Sequence, residues 1–499
     1  MSPRLILTFI LLGAFLLKVP VLNKPLFGHF GSYQVVNGMM AEMMLRGPFS
    51  AFFVPTTMML REGAPSLHLL YYPFGSALAA GAKTFLGGSL DFWGRLQAAL
   101  SMMGAGWVFF QIVKKDFSAE ISLWACVIFS FSPMALISGM SFQNEAIAVL
   151  FLVTAFWLVS FPSGLAKFAS GLVFSLALVA RIHFVVLFPV FLLALMRERV
   201  RWKNLWLWVP ASLLPVSAWY GFMYYLEKTN VHSASGFFGQ LGEGRILVES
   251  LLASPEFYRR IGTILTGPWV TPLILPFVLW GLFRWTRENR IFILWLLCSL
   301  TTIVLLPQKA ADHPFYLISG VPAAAVLAAV SAREFLSRFG KGVSVVFLGA
   351  FSLLVLRYYV PPAFFVPPAE AAIPEMSREL GALTQKEDLV VAPSGAFLYY
   401  AHRFGWPFNL EMEESPVRDS RQARHLRLVE KGYGDPVAWL ETLRGEGADY
   451  LVVSEPERLR QKKAFFDYVS RHYAPVNVPS GSFLMFDLRK ESSVGEPSS

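Results

Sequence analysis

The run SLHLLYYPFGSALAAGAKTFLG, residues 66–87, is the stretch on which the topology of this chain turns. It is apolar and as long as a membrane span, which takes about 20 residues. Yet Pro65 precedes it and Pro73 interrupts it. A proline has no amide N–H and pushes the residue before it out of the helical region. Gly75, His68 and the Tyr71–Tyr72 pair punctuate the run further. Its own residues leave it ambiguous, and its neighbours decide.

Outward from it, eleven apolar stretches have the length and composition of spans: 5–22, 96–113, 119–138, 145–161, 166–179, 183–196, 204–224, 269–283, 291–306, 316–332 and 342–360. Cytoplasmic loops carry an excess of Lys and Arg. If 66–87 does not cross and the N-terminus is inside, the inner loops hold Arg4, Lys114, Lys115, Lys167, Arg197, Arg199, Arg201, Lys203, Arg284, Arg287, Arg290, Arg333, Arg338 and Lys341. The short outer loops then hold little besides Arg181 and Lys309. A crossing at 66–87 would turn every basic loop outward. The expectation is therefore eleven spans, a cytoplasmic N-terminus, and 66–87 interfacial or re-entrant in a long outer loop, 23–95.

Composition agrees. Of 499 residues, 55% are hydrophobic and only 15% charged, against about 25% charged in soluble chains; the mean hydropathy is +0.50. The charge returns after Pro361. There DLVVAP (388–393), YLVVSE (450–455) and SFLMFDL (482–488) have the look of strands, and Trp439 to Arg444 and Glu457 to Arg471 that of helices. The expected organisation is an all-α membrane domain over 1–361, a small α/β domain outside the membrane over 362–490, and a disordered tail at 491–499. The net charge of +9 follows from the basic loops, so no nucleic-acid partner is implied. Cys126 and Cys298 lie in apolar runs and suit neither a disulfide nor a metal. The N-terminal run lacks a small-x-small cleavage pattern before Lys24 and is expected to stay as a helix. Residues 33–46 place Val35, Met39, Met43 and Met44 near one helical face, which fits a helix at the membrane interface or a helix packed on its neighbours equally.

The order of these features carries a resemblance. One span precedes a long outer loop; the loop closes on a Tyr72-Pro73 turn and Gly87-Gly88; Trp93-Gly94-Arg95-Leu96 opens the next span; and ADHPFYLISGVP (311–322) leads into a late one. In this the chain resembles the GT-C superfamily of membrane glycosyltransferases, in the branch of protein O-mannosyltransferases and aminoarabinose transferases (family 39). The resemblance implies a polyprenyl-phosphate sugar as donor, transfer at the outer face of a bacterial or archaeal plasma membrane, and a lipid, glycan or protein acceptor. It also implies an Asp-Glu pair at the start of the first outer loop, with the Asp as base. The matching stretch, Gly28-His29-Phe30-Gly31-Ser32-Tyr33-Gln34, has no acid. It resembles a subgroup carrying His-aromatic-Gly there.

Such chemistry needs a base for the acceptor hydroxyl and cations for the donor phosphate. His29 titrates near neutrality and is one candidate base; the plain alternative is a loop histidine on backbone or headgroup. Glu145, in SFQNE (141–145), is the other, and equally suits a helix N-terminus as a dipole-complementing charge. Arg181 with His183, at an outer break between two short spans, is the preferred phosphate site, against a snorkelling arginine. Arg95 either holds loop 23–95 or touches the phosphate, and Lys309 and His313 complete a basic rim. His68 fits an ordinary interfacial histidine, and Glu42 and Glu62 solvated loop charges. No phosphate-binding glycine loop, zinc motif or nucleophile elbow occurs, so no cofactor and no metal are expected. A relative that binds lipid-linked glycan without transferring it is the first rival, and the missing acid favours it. A transporter is the second, without the paired repeats transporters tend to show.

Overall fold

In the computed structural model, residues 66–87 split at Pro73. The first part lies in strand β2 (Ala64–Leu69, following β1, Thr56–Arg61), and the second is a helix, Phe74–Leu86. Gly87 and Gly88, both at positive φ, end that helix. The structure describes all residues except 28–30, 62, 199–201, 230–232, 237–246, 285, 361–364, 409–434 and 491–499. The candidate base His29, the acid Glu62 and the expected disordered tail thus lie outside the described residues.

The chain divides into two units. The first comprises Met1–Phe30, Tyr71–Tyr225 and Gly244–Phe365 and is helical, with a helix at each stretch expected to span. Among the described residues, three helices are by themselves long and apolar enough to cross a membrane: Pro3–Val21, Leu90–Asp116 and Pro314–Ser337. A fourth candidate is the pair Ala119–Phe131 and Pro133–Met140, bent by 54°. Pro133 explains the bend, since it has no N–H for the preceding turn and its ring crowds that turn's carbonyls. Ser132 caps the second piece by accepting from the Ala135 N–H. Shorter apolar helices follow at Glu145–Val159, Gly164–Ala180, Ile182–Arg197, Arg290–Leu305 and Val345–Tyr358.

Residues of the basic segments between helices of this unit meet in ion pairs. Lys115 pairs with Glu198 at 2.5 Å, and Arg197 grips Asp116 with two bonds of 2.9 and 2.5 Å. Arg333 reaches Glu120 at 3.3 Å, and Arg284 reaches Glu334 at 2.6 Å. Loops that share a basic character in the sequence therefore gather at shared places in space.

The second unit comprises Gly31–Leu70, Leu226–Glu243 and Val366–Ser499. Residues Gly31–Leu70, from within the long loop 23–95, thus group with the C-terminal region. The further strands are β3 (Ser233–Gly236), β4 (Val390–Ala392), β5 (Gly405–Pro407), β6 (Tyr450–Val453), β7 (Ala474–Val476) and β8 (Leu484–Asp487). They join β1 and β2 in one sheet of order β3-β2-β1-β5-β4-β6-β8-β7. β1 meets β5 in parallel through Met59 and Gly405. Gly405 is required there, since a β-carbon would be driven into the carbonyl of Val390 on the adjoining β4. The expected strands appear as β4, β6 and β8, and the expected helices as Pro436–Gly445, Pro456–Gln461 and Lys463–His472. Leu60, Val391, Trp406, Leu451 and Phe486 share one apolar core. Removing that apolar surface from water stabilises the unit by about 25 cal/mol per Å².

The helix Gly31–Arg46 resolves its two readings. Val35, Met39 and Met44 are buried, but so are Gln34, Asn37 and Glu42. Met39 and Met59 both lie against Gly395, at the start of the helix Gly395–Ala401. It is a packed helix of the second unit, since a helix lying in a bilayer surface keeps its polar face wet.

Candidate functional site

The helical unit buries one carboxylate and one guanidinium against each other. Glu145 opens the helix Glu145–Val159 and is fully buried, and its Oε1 pairs with Arg181. Arg181 follows the helix Gly164–Ala180 with φ −150° and ψ 92°, so the chain turns out of the helix there. A 3-10 turn, Ile182–Leu187, comes next. Pro189, at the start of the helix Phe188–Arg197, supplies no N–H to that turn, which accounts for the tighter winding. The break read from the sequence is therefore real, and it carries Arg181 and His183.

Aromatic faces enclose the guanidinium. Arg181 lies 4.4 Å from the ring centre of Tyr71 and 5.7 Å from that of Phe315, within cation–π range. His183 packs its ring 4.6 Å from Tyr316, and its Nε2 is buried without a hydrogen-bond partner. Phe315 and Tyr316 belong to the 3-10 turn Pro314–Gly320. Pro322 gives this turn no N–H, and the carbonyl of Ser319 takes the indole N–H of Trp295 instead, at 2.7 Å. Trp269 does the same for Leu317, at 2.9 Å. Those two indoles fix the segment that presents Phe315 and Tyr316.

Glu145 is positioned by the loop before it. Asn144 donates to the carbonyl of Tyr72 at 2.7 Å and accepts from the Gly75 N–H at 3.1 Å, which fastens the Tyr72-Pro73 turn to the start of the Glu145 helix. The Tyr72 N–H reaches the carbonyl of Val179, two residues before Arg181, at 3.2 Å. Phe142 is fully buried against Gly94, where a β-carbon would be driven into its ring. The Trp93-Gly94-Arg95 sequence thus serves the site through packing.

The other predicted residues distribute as follows. Arg95 donates to the carbonyls of Val21 (2.9 Å), Lys24 and Pro25 (2.7 Å). Of its two expected roles, holding the start of the outer loop is the one its contacts support. Lys309 and His313 flank the turn of Phe315, with the His313 ring stacked 5.4 Å from Phe315. Burial, reinforced by Lys309, brings the His313 imidazole down to about 4. An imidazole so shifted is neutral at physiological pH. The residues the sequence did not single out are Tyr71, Phe315, Tyr316 and Asn144. The first two have a signal in hindsight, as each ring lies beside a segment already suspected.

The site is thus an arginine at a helix break set against a buried carboxylate in a helical unit. Residues 72–225, which include Glu145, Arg181 and His183, match the family described as dolichyl-phosphate-mannose-protein mannosyltransferase. Among solved structures, the chain is similar to ArnT from Cupriavidus metallidurans bound to undecaprenyl phosphate: TM-score 0.65, 13% identity, over 98% of this chain and 99% of that one. The apo state of the same protein gives TM-score 0.62 at 13% identity, over 96% and 97%. Arabinofuranosyltransferase AftD from mycobacteria gives TM-score 0.54 at 14% identity, over 98% of this chain and 40% of that one. No curated protein sequence matches. The fold read from the sequence is that of these structures, and the family read from it is the one whose description matches residues 72–225.

Proposed function

We propose that this protein transfers a sugar from a polyprenyl-phosphate donor to an acceptor at the outer face of a bacterial or archaeal plasma membrane. The observation that carries this reading is the buried Glu145–Arg181 pair at a helix break. Ionised groups inside a membrane-spanning unit are costly and are usually kept for function. Arg181 is the cation for the donor phosphate and for the charge that grows on it as the glycosidic bond breaks. Glu145 pairs with that guanidinium, and Tyr71 and Phe315 lie against its faces. His183 Nε2, buried without a partner, supplies a further polar contact. Lys309, whose charge reaches His313, adds to the positive field, and His29 remains the candidate base on the strength of the sequence. The undecaprenyl phosphate bound by the similar ArnT supports a lipid phosphate as ligand.

The same reading includes eleven spans, an inside N-terminus and the second unit outside. A reporter fused after residue 490 registers an outside location on this account, and a cytoplasmic signal overturns the topology. For the chemistry, purified protein is given labelled polyprenyl-phosphate mannose or aminoarabinose with a panel of acceptors. Release of free polyprenyl phosphate is expected, and it falls in His29→Ala and Glu145→Ala. The acid-free stretch Gly28–Gln34 favours one second reading, a relative that binds such lipids without turning them over. Donor binding with no release across the panel would establish that reading instead.

A further inference from the structure

The second unit contains a cavity of about 750 Å³, in the size range of small-molecule sites. Four cationic side chains line it, Arg46, Arg378, Lys386 and Arg403, against one carboxylate, Glu42. The cations do not all have the same work. Arg403 is buried and holds backbone, donating to the carbonyls of Gly381 (2.7 Å), Thr384 (2.7 Å), Ala401 (3.2 Å) and His402 (3.3 Å). It fixes the wall and adds to its positive field. Arg378 and Lys386 are exposed, and Arg46 is partly so.

The polar groups deeper in the wall are of another kind. Glu42 is 7% exposed, bonded by Arg46 at 3.0 Å and approached by His402 Nδ1 at 3.4 Å. Ser377 is fully buried, and its Oγ has no hydrogen-bond partner. Buried hydroxyls ordinarily find one. His402 adopts a left-handed conformation, φ 54° and ψ 42°, uncommon for a side-chain-bearing residue and often found at ligand sites. The half-buried ring of Tyr400 completes the lining.

We infer that this cavity binds a sugar bearing an anionic group, a phosphate or a carboxylate. Arg46, Arg378 and Lys386 meet the anion, for which charge-assisted bonds are the strong ones. Glu42 and Ser377 take ring hydroxyls, and Tyr400 offers an apolar face to the ring. A carboxylate in the wall weakens a bare anion and suits a ligand with hydroxyls to donate. The site is separate from the Arg181 pair and stands whether or not that pair works on a lipid donor.

The test uses the full chain in lipid nanodiscs, with glucose 1-phosphate, glucuronic acid, glucose and inorganic phosphate as probes, read by calorimetry or ligand-observed NMR. Glucose 1-phosphate or glucuronic acid is expected to bind about tenfold or more tighter than glucose, and tighter than inorganic phosphate. Whichever of the two binds better identifies the anion. The double substitution Arg378→Ala with Lys386→Ala, at exposed positions, weakens that binding by about tenfold, and Ser377→Ala by a smaller factor. Glucose binding as well as the charged sugars, or the double variant binding like the unaltered chain, overturns the proposal. Inorganic phosphate binding as tightly as glucose 1-phosphate overturns its sugar part. Release of polyprenyl phosphate is not read, so failure here leaves the donor reading untouched.

Discussion

Two sets of ion pairs in the helical unit teach opposite things about charge. Among the pairs between the basic segments, two stay wet: Lys115 and Glu198 keep 38% and 27% of their side-chain surface, and Arg333 and Glu120 keep 45% and 55%. Such pairs contribute about 0–1 kcal/mol. At the helix break, Arg181 keeps 7% and Glu145 none. Burying two charges costs several kcal/mol per ion, which their attraction only partly repays, so a buried pair is poor evidence of a stability role. Arg95 and Arg403 sharpen the contrast. They are buried too, but their donors go to backbone carbonyls and pin loops. Arg181 is turned to a carboxylate and to ring faces.

The comparison can be broken in order of expected effect. Glu145→Ala or Arg181→Ala leaves one charge buried alone, and unfolding in detergent or nanodiscs should show a loss of about 3–5 kcal/mol along with lost turnover. Gly94→Ala pushes a methyl into Phe142 and shifts the loop before Glu145; a loss of about 1–3 kcal/mol is expected, with turnover falling beyond what stability explains. Arg403→Ala frees the carbonyls it binds and should destabilise the second unit by about 1–3 kcal/mol. Lys115→Ala should change stability by under about 1 kcal/mol and turnover not at all. A large effect there would erase the distinction between the two sets.

Acidification offers a further check. His313 is neutral in the folded chain, its value brought from 6.5 to about 4 by burial first and by Lys309 next. The unfolded state therefore binds the proton more readily. This stability is present above about pH 6.5 and is lost as pH falls toward about 4. In the second unit, burial pushes the Asp487 carboxyl up, but hydrogen bonds and charge from Arg489 outweigh it and hold the carboxyl below the usual range. Its contribution is present above the unfolded carboxylate range and disappears on further acidification. Thermal melts across pH 7 to 3 should thus fall in two stages, and His313→Asn should remove the first.

Much of this was legible because a charge inside an apolar run stands out. Glu145, Arg181 and His183 were marked by that contrast alone, and the structure brings the three segments that carry them and His313 into one neighbourhood. Pro73 was legible in the same way and does break 66–87. What the sequence hid was non-local. Nothing in TTMMLR announces that it will pair with a strand some 350 residues later, and hence the second unit was read as contiguous. Glu42 looked like a solvated charge, yet it is 7% exposed and lines a cavity with residues 377–403, far from it in sequence. Asn144 and Gly94 were invisible as positioning residues for a similar reason: their partners, Tyr72 and Phe142, lie on other segments.

The central claim is that the Glu145–Arg181 pair is kept for work on a lipid phosphate and not for folding. The direct measurement replaces both partners at once, Glu145→Leu with Arg181→Met, and records thermal stability and release of polyprenyl phosphate together. Removing a buried pair whole is often neutral or stabilising. The melting temperature should therefore hold or rise while release falls by about a hundredfold or more. A double variant that turns over donor at the unaltered rate would contradict the account.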